Sequence, residues 1–284
     1  MKNSKTLFQD FASRIKLQES RDEIQSIAYL VFETVFGLSK TEVLAGKNLT
    51  EESLIRRLDE ITLRINDHEP VQYILGEAAF YSRNFSVNPS VLIPRPETEE
   101  LARLVIDFAR QTQKTNHHII DIGTGSGCIA VTLSLELPDA EVSAVDISEE
   151  ALRIALANAQ KLGASVKFQQ LDILKEKLPF SIDIMVSNPP YIELGERTNM
   201  SKNVVQYEPQ VALFVDSNDP LLFYNAIVVR ATESLRRDGL LAVEINERFG
   251  GEVRQLLINH NFRDVRIIQD VFGKDRIVKG VLPS

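Results

Sequence analysis

Residues 188–191 read Asn-Pro-Pro-Tyr, directly after the alternating run Ser181-Ile182-Asp183-Ile184-Met185-Val186-Ser187. Two consecutive prolines remove two backbone donors and fix two φ angles. Asn188 and Pro189 each precede a proline, which pushes both toward extended geometry. The result is a stiff rim at the end of a strand. It offers the Asn188 carboxamide, bare carbonyls along Pro189 and Pro190, and the ring of Tyr191. Such a rim suits a planar nitrogen, whose N–H groups meet acceptors while a ring covers its face. The blander reading is a strand ending in a proline-rich turn, with Tyr191 as a core aromatic.

A second constellation lies upstream. Asp121-Ile122-Gly123-Thr124-Gly125-Ser126-Gly127 sits at the end of a predicted strand and opens a helix. Glycines there tolerate positive φ and let a ligand approach the backbone, and the helix N-terminus favours a negative group. The spacing is G-x-G-x-G, not the G-x-G-x-x-G of dinucleotide sites. Asp121, two residues before the first glycine, would be unfavourable beside a pyrophosphate but welcome beside a cationic or zwitterionic ligand. S-adenosylmethionine, with its ammonium, carboxylate and sulfonium, fits that description. A purely structural glycine turn is the alternative.

Asp146 lies 23 residues after Gly123, at the end of the next strand. Its carboxylate can accept two hydrogen bonds from ribose hydroxyls or cap the helix that begins near Ser148; the glycine loop and the spacing favour ribose. Asp172 can meet an adenine amino group, with Ile173 and Leu174 as apolar cover, or can simply build a turn. Arg95, Glu97 and Thr98 are placed either at the entrance of the crevice or on a solvated helix start. Cys128 reads as a small buried helix residue. His68, His117, His118 and His260 have no metal-ligand spacing, so no metal is expected.

The elements that must hold these residues follow from periodicity. Up to about residue 75 the chain reads as helical. Leu7, Phe11 and Ile15 recur every four residues; Ile24, Ile27, Ala28, Val31, Phe32 and Val35 form a second stripe; Leu54, Ile55, Leu58, Ile61 and Ile65 form a third. Ser39 and Glu42 have capping-box spacing. Residues 76–96 read as a hairpin linking two domains. From Glu97 on, helical and strand patterns alternate, which predicts an α/β domain over 97–284 with a mostly parallel sheet covered on both faces. One expected helix starts at Asp219-Pro220 and ends at Asp238-Gly239, before a strand over Leu240–Ile245.

Bulk composition narrows the function classes. The chain has 284 residues, 32 basic and 40 acidic, for a net charge of −8. Residues 1–75 hold 10 basic and 12 acidic residues, so the net charge is −2 there and −6 in the remainder. The basic footprint of a nucleic-acid binder is missing. One cysteine excludes an internal disulfide framework and a Cys-rich metal site. No apolar run approaches the ~20 residues that span a bilayer, and the first fifteen residues carry no apolar h-region, so no membrane is expected and the expected place is the cytoplasm.

The order of glycine loop, Asp146, Asp172 and Asn-Pro-Pro-Tyr resembles the class I S-adenosylmethionine-dependent methyltransferases. A closer resemblance is carried by Pro70-Val-Gln-Tyr-Ile-Leu-Gly76, Phe80, Ile93-Pro-Arg-Pro-Glu-Thr-Glu99, Tyr207-Glu208-Pro209 and Asp270-Val-Phe-Gly-Lys-Asp-Arg276. These are similar to the PrmC/HemK family, the release factor glutamine methyltransferases. The likeness covers nearly the whole chain and is most specific from Pro70 to Tyr191.

That resemblance implies a Rossmann-like, seven-stranded, mostly parallel sheet behind a small helical domain that binds the substrate protein. It implies methyl transfer from S-adenosylmethionine, leaving S-adenosylhomocysteine, to the side-chain nitrogen of the glutamine in the Gly-Gly-Gln loop of class I peptide chain release factors. Asn188, Pro189 and Tyr191 are then the catalytic residues. Asp121, Gly123, Thr124, Gly125, Ser126, Gly127, Asp146, Asp172, Ile173 and Asn188 hold the cofactor. Arg95, Glu97 and Asn188–Tyr191 meet the substrate, and Tyr207-Glu208-Pro209 helps hold the release factor. Some family members have an aromatic where Ile173 stands, so adenine would lose ring stacking here. Two rivals remain at this point. One is a nucleic-acid methyltransferase acting on adenine N6 or guanine N2, which needs base extrusion and basic surface. The other is a nucleotide-binding module, which the glycine spacing and the proline rim disfavour.

Overall fold

The structure, a computed structural model, describes residues 2–112, 114–178 and 181–283. The chain forms two compact units, Met1–Glu77 with Ser201–Tyr207, and Ala78–Met200 with Glu208–Ser284.

The first unit is helical, with helices at Ser4–Arg14, Arg21–Phe36, Lys40–Leu44, Glu52–Asn66 and Val71–Leu75. The predicted stripes face inward: Phe11, Val31, Phe32, Leu58, Ile61 and Ile65 are all buried. The Ser39–Glu42 capping box forms in both directions. The segment Ser201–Tyr207 belongs to this unit, where the Tyr207 hydroxyl lies 2.9 Å from the Asp67 carbonyl and 3.0 Å from its Oδ2.

From Ala78 on, the hairpin expected as a linker is part of the second unit. Its strands, Glu77–Phe80 and Arg83–Ser86, turn through Tyr81 and Ser82 at φ 49° and 59°. Two consecutive positive φ angles suit a tight hairpin. Phe80 and Phe85 meet edge-to-face and sink into this unit's core, which is why the segment does not behave as a spacer.

Seven strands form the central sheet: β1 (His118–Ile122), β2 (Glu141–Asp146), β3 (Val166–Gln170), β4 (Ile182–Ser187), β5 (Leu235–Glu244), β6 (Arg263–Gln269) and β7 (Asp275–Val281). Their order is β6-β7-β5-β4-β1-β2-β3, and β7 runs antiparallel to both its neighbours. Helices α1 (Pro96–Gln111), α2 (Cys128–Glu136), α3 (Glu149–Leu162), α4 (Leu222–Ser234) and α5 (Gly250–Asn259) cover it. Alternation along the strands splits the core in two. Ile119, Ile184, Val186, Leu240 and Ala242 face one cluster, and Ile120, Ile122, Met185, Leu241 and Val243 face the other.

One expected boundary is wrong. The helix predicted to end at Asp238-Gly239 ends at Ser234, and β5 starts at Leu235. The Asp-Gly pair marks an irregularity inside the strand, where pairing with β4 slips between Leu235 and Leu240. Asp238 has φ 63°, and a Cβ on Gly239 would stand 2.8 Å from the Arg236 carbonyl. A turn signal in the sequence is therefore used as a bulge.

Register sets the functional row. Ile122 pairs with Val145 and with Ser187, and Ser187 pairs with Val243. The next residue on each strand, Asp146, Gly123, Asn188 and Glu244, therefore falls on one line at the carboxyl ends of four adjacent parallel strands. Strand order reverses between β1 and β4, the place where open α/β sheets bind ligands.

Candidate active site

The glycine loop leaves β1 with Gly123, Gly125 and Gly127 at φ 70°, 53° and 80°. Their surroundings differ. A Cβ on Gly123 or Gly125 would meet nothing within 4 Å, whereas one on Gly127 would stand 3.0 Å from the Ala155 Cβ and 3.1 Å from its Cα. The first two glycines leave open space above the loop, and the third lets α3 pack close.

Two acidic residues shape this cradle. Asp146 Oδ2 accepts from the Gly125 N–H at 2.8 Å and Oδ1 from the Ser148 N–H at 2.9 Å. The helix cap itself is Ser148, whose hydroxyl accepts from the Ala151 N–H. Asp146 thus fixes both the loop and the start of α3, and each of its oxygens keeps a lone pair for a further donor. Burial raises its pKa, against the pull of those backbone donors. Asp121 lies beneath the loop, fully buried. Its Oδ2 accepts from the Thr124 hydroxyl at 2.6 Å, while Oδ1 has no hydrogen-bond partner among the described residues. Burial pushes it up to about 7, opposed by the Thr124 hydroxyl and the Ala130 backbone N–H and helped by the charge of Asp146. An orphaned carboxyl oxygen under an open glycine loop fits a ligand that brings a cation or an extra donor.

Thr124 and Ser126 are buried within the loop. Asn158, which the sequence reading passed over, ties the loop down. Its Nδ2 donates to the carbonyls of Ser126 and Ser86, and its Oδ1 accepts from the Ser86 N–H. The available signal was an amide inside an alanine-rich helix, where Asn has poor propensity. Cys128 is buried and its thiol is pushed up to about 12 by burial, so it is no nucleophile.

Asp172 follows Leu171, whose N–H donates to the Asp146 carbonyl at 3.0 Å. Asp172 Oδ1 accepts from the Leu174 N–H and its Oδ2 pairs with Lys175 at 2.8 Å, which holds its pKa low. The turn role is therefore visible in the structure. Ile173 packs into the core, while Leu174 is exposed.

The proline rim follows β4, which is anchored to β1 by the Ser187 hydroxyl donating to the Ile122 carbonyl at 2.7 Å. Asn188 Nδ2 donates to Thr98 Oγ1 at 3.2 Å. Thr98 Oγ1 donates to Glu244 Oε2 at 2.7 Å, and the Tyr191 hydroxyl donates to Glu244 Oε1 at 3.1 Å. Among the described residues, Asn188 Oδ1 and the Pro189 carbonyl accept nothing. Burial raises the pKa of Glu244, while the hydroxyls of Thr98 and Tyr191 and the charge of Arg276 lower it. Burial and the Glu244 charge keep the Tyr191 phenol protonated.

Thr98 is thus a buried part of the rim, not of the crevice entrance. Arg95 is paired: its guanidinium meets Glu208 Oε1 at 2.5 Å, Glu208 Oε2 accepts from the Ile93 N–H, and the Arg95 charge acts on Tyr191. Glu208 is buried by this pairing, while Tyr207 belongs to the other unit. Glu97 is half-buried in the first turn of α1. Glu244, the carboxylate that organises the rim, was not singled out from sequence; its signal was one acidic residue inside the apolar run Leu240-Leu-Ala-Val-Glu-Ile245.

Comparison with known proteins gives the family. Residues 7–76 match the family described as PrmC N-terminal domain, and residues 102–211 match the methyltransferase small domain. The release factor glutamine methyltransferase of Bacteroides thetaiotaomicron is 43% identical over 260 residues, covering 90% of this chain and 92% of the relative. The chain belongs to the release factor glutamine methyltransferase family. The member from Bacillus subtilis is 38% identical over 283 residues, covering 96% of this chain and 97% of its own. A methyltransferase structure from Pyrococcus furiosus is 16% identical, covers 80% of this chain and 100% of its own, and superposes with a TM-score of 0.53. That likeness shows the methyltransferase fold.

Proposed function

We propose that this chain transfers a methyl group from S-adenosylmethionine to the side-chain amide nitrogen of the glutamine in the Gly-Gly-Gln motif of class I release factors. S-adenosylmethionine supplies, when bound, a sulfonium-activated methyl group. Gly123 and Gly125 allow its close approach, Gly127 lets α3 pack beneath that loop, Asp146 offers lone pairs to ribose hydroxyls, and one Asp121 oxygen remains for a further donor.

The single observation that carries the reading is the free pair of acceptors, Asn188 Oδ1 and the Pro189 carbonyl, one strand away from the glycine loop. A carboxamide nitrogen is a poor nucleophile because its lone pair is shared with the carbonyl. Two acceptors, one for each N–H, fix the nitrogen and favour pyramidalisation, which frees the lone pair. Tyr191, anchored through its hydroxyl, supports the amide plane. Positioning of this kind, in line and at about 3–3.5 Å before transfer, is the main catalytic contribution required. The nitrogen becomes strongly acidic only after it is methylated, so no base needs to be poised beforehand.

Asn188→Ala tests this reading with a release factor as acceptor. Transfer should fall by roughly 10²-fold or more, the scale seen when one positioned hydrogen-bonding group is removed. S-adenosylhomocysteine affinity, measured by calorimetry, should change by less than about threefold. Turnover equal to wild type would remove Asn188 from the mechanism.

A further inference from the structure

Glu244 ends the apolar strand β5 and is 1% exposed. A buried carboxylate is tolerated only when its oxygens are hydrogen-bonded. Here Oε2 takes the Thr98 hydroxyl and Oε1 takes the Tyr191 hydroxyl. Two members of the rim therefore lean on one side chain from the neighbouring strand.

The direction of these bonds matters more than their number. Both Glu244 oxygens accept here, one from Thr98 and one from Tyr191, and a threonine hydroxyl has one proton to give. Thr98 gives that proton to Glu244, so toward Asn188 it can offer only a lone pair. Asn188 must answer with its NH2 group, and its oxygen is turned the other way. Had the chain the opposite polarity, Asn188 would point an N–H toward a substrate N–H and the acceptor would be lost.

We propose that Glu244, acting through Thr98, is the positioning residue that turns the Asn188 carboxamide so that its oxygen faces the substrate nitrogen. The inference rests on the functional reading above. It gives a role to an acidic residue at the end of the apolar run Leu240–Val243: it sets the hydrogen-bond polarity of the site without touching the substrate. It also restricts the substrate class. A site wired in this direction accepts a group that donates N–H, such as a carboxamide, and rejects one that can only accept.

Thr98→Val keeps the shape and removes the link, and Thr98→Ser restores the hydroxyl. With release factor as substrate, Thr98→Val should lower kcat by about 10- to 100-fold, leaving KM and S-adenosylhomocysteine affinity within about threefold. Thr98→Ser should recover at least a third of wild-type kcat. Thr98→Ala gives the same readout if valine is not tolerated, with thermal unfolding as the control for folding. A second readout needs no substrate. The side-chain amide protons of Asn188, followed by NMR, should exchange with solvent faster in Thr98→Val and return to the wild-type rate in Thr98→Ser. Unchanged kcat in Thr98→Val, or a serine variant as impaired as the valine one, would overturn the proposal, as would an unchanged Asn188 amide signal. If wild-type protein did not methylate release factor at all, the functional reading would fail while the amide signal still judged the relay.

Discussion

Asp121 shows how a single residue can be strained toward a ligand. Its carboxyl is fully buried, half-satisfied by Thr124, and pushed up to about 7 by burial. In the unfolded chain the same group titrates near pH 4, as free aspartates do at about 3.9. Its folded pKa is raised, so its contribution to stability is present below about pH 4 and fades as pH rises toward 7. Asp121→Asn removes this titration and should flatten that slope in ligand-free protein. Urea denaturation at pH 5 and pH 8 checks this; an unchanged slope would mean the carboxyl is not protonated near neutrality. At this scale the chemistry was legible wherever backbone stiffness announced it, as in Asn188–Tyr191 and Gly123–Gly127. It was not legible for Glu244 or Asn158, whose partners lie 146 and 72 residues away in the chain. Nor was the fate of Arg95, since a guanidinium free in sequence is claimed in space by Glu208.

Elements fix which glycine does what. Gly127 and Gly125 share positive φ but not surroundings, so substitution should separate stability from binding. Gly127→Ala forces a methyl group against Ala155 of α3. The expected cost is about 1–3 kcal/mol from overpacking and left-handed strain, seen as a lower Tm. Gly125→Ala meets no neighbour and pays only the left-handed penalty of about 1–2 kcal/mol. Its methyl group instead occupies the space a ligand must approach, so S-adenosylhomocysteine affinity should drop further than stability does. Equal effects of the two on both measurements would contradict this division of roles. Strand and helix boundaries in the α/β part were readable because core strands here are apolar and short, with capping residues between. The strand predicted to run into the glycine loop is β1, His118–Ile122. The Asp238-Gly239 bulge misled because a turn dipeptide says that the backbone bends, not whether a helix or a strand surrounds it.

The whole molecule constrains the substrate. Both parts of the chain carry net negative charge, −2 up to residue 75 and −6 beyond it, which disfavours a polyanionic substrate and suits a protein one. The two units were visible in sequence as a change from helical stripes to alternating strand and helix. Their membership was not: Ser201–Tyr207 joins the first unit although it follows the catalytic motif, because the Tyr207 hydroxyl finds Asp67 only in three dimensions. Tyr207 and Glu208 are adjacent in sequence and fall in different units. The most direct test of the account is to incubate the protein with a methyl donor and either a purified release factor or a DNA or RNA oligomer, then map the product by mass spectrometry. The account predicts one added methyl group, on the glutamine of the Gly-Gly-Gln tripeptide, and none on the oligomer. A methylated oligomer with an unmodified tripeptide would contradict it.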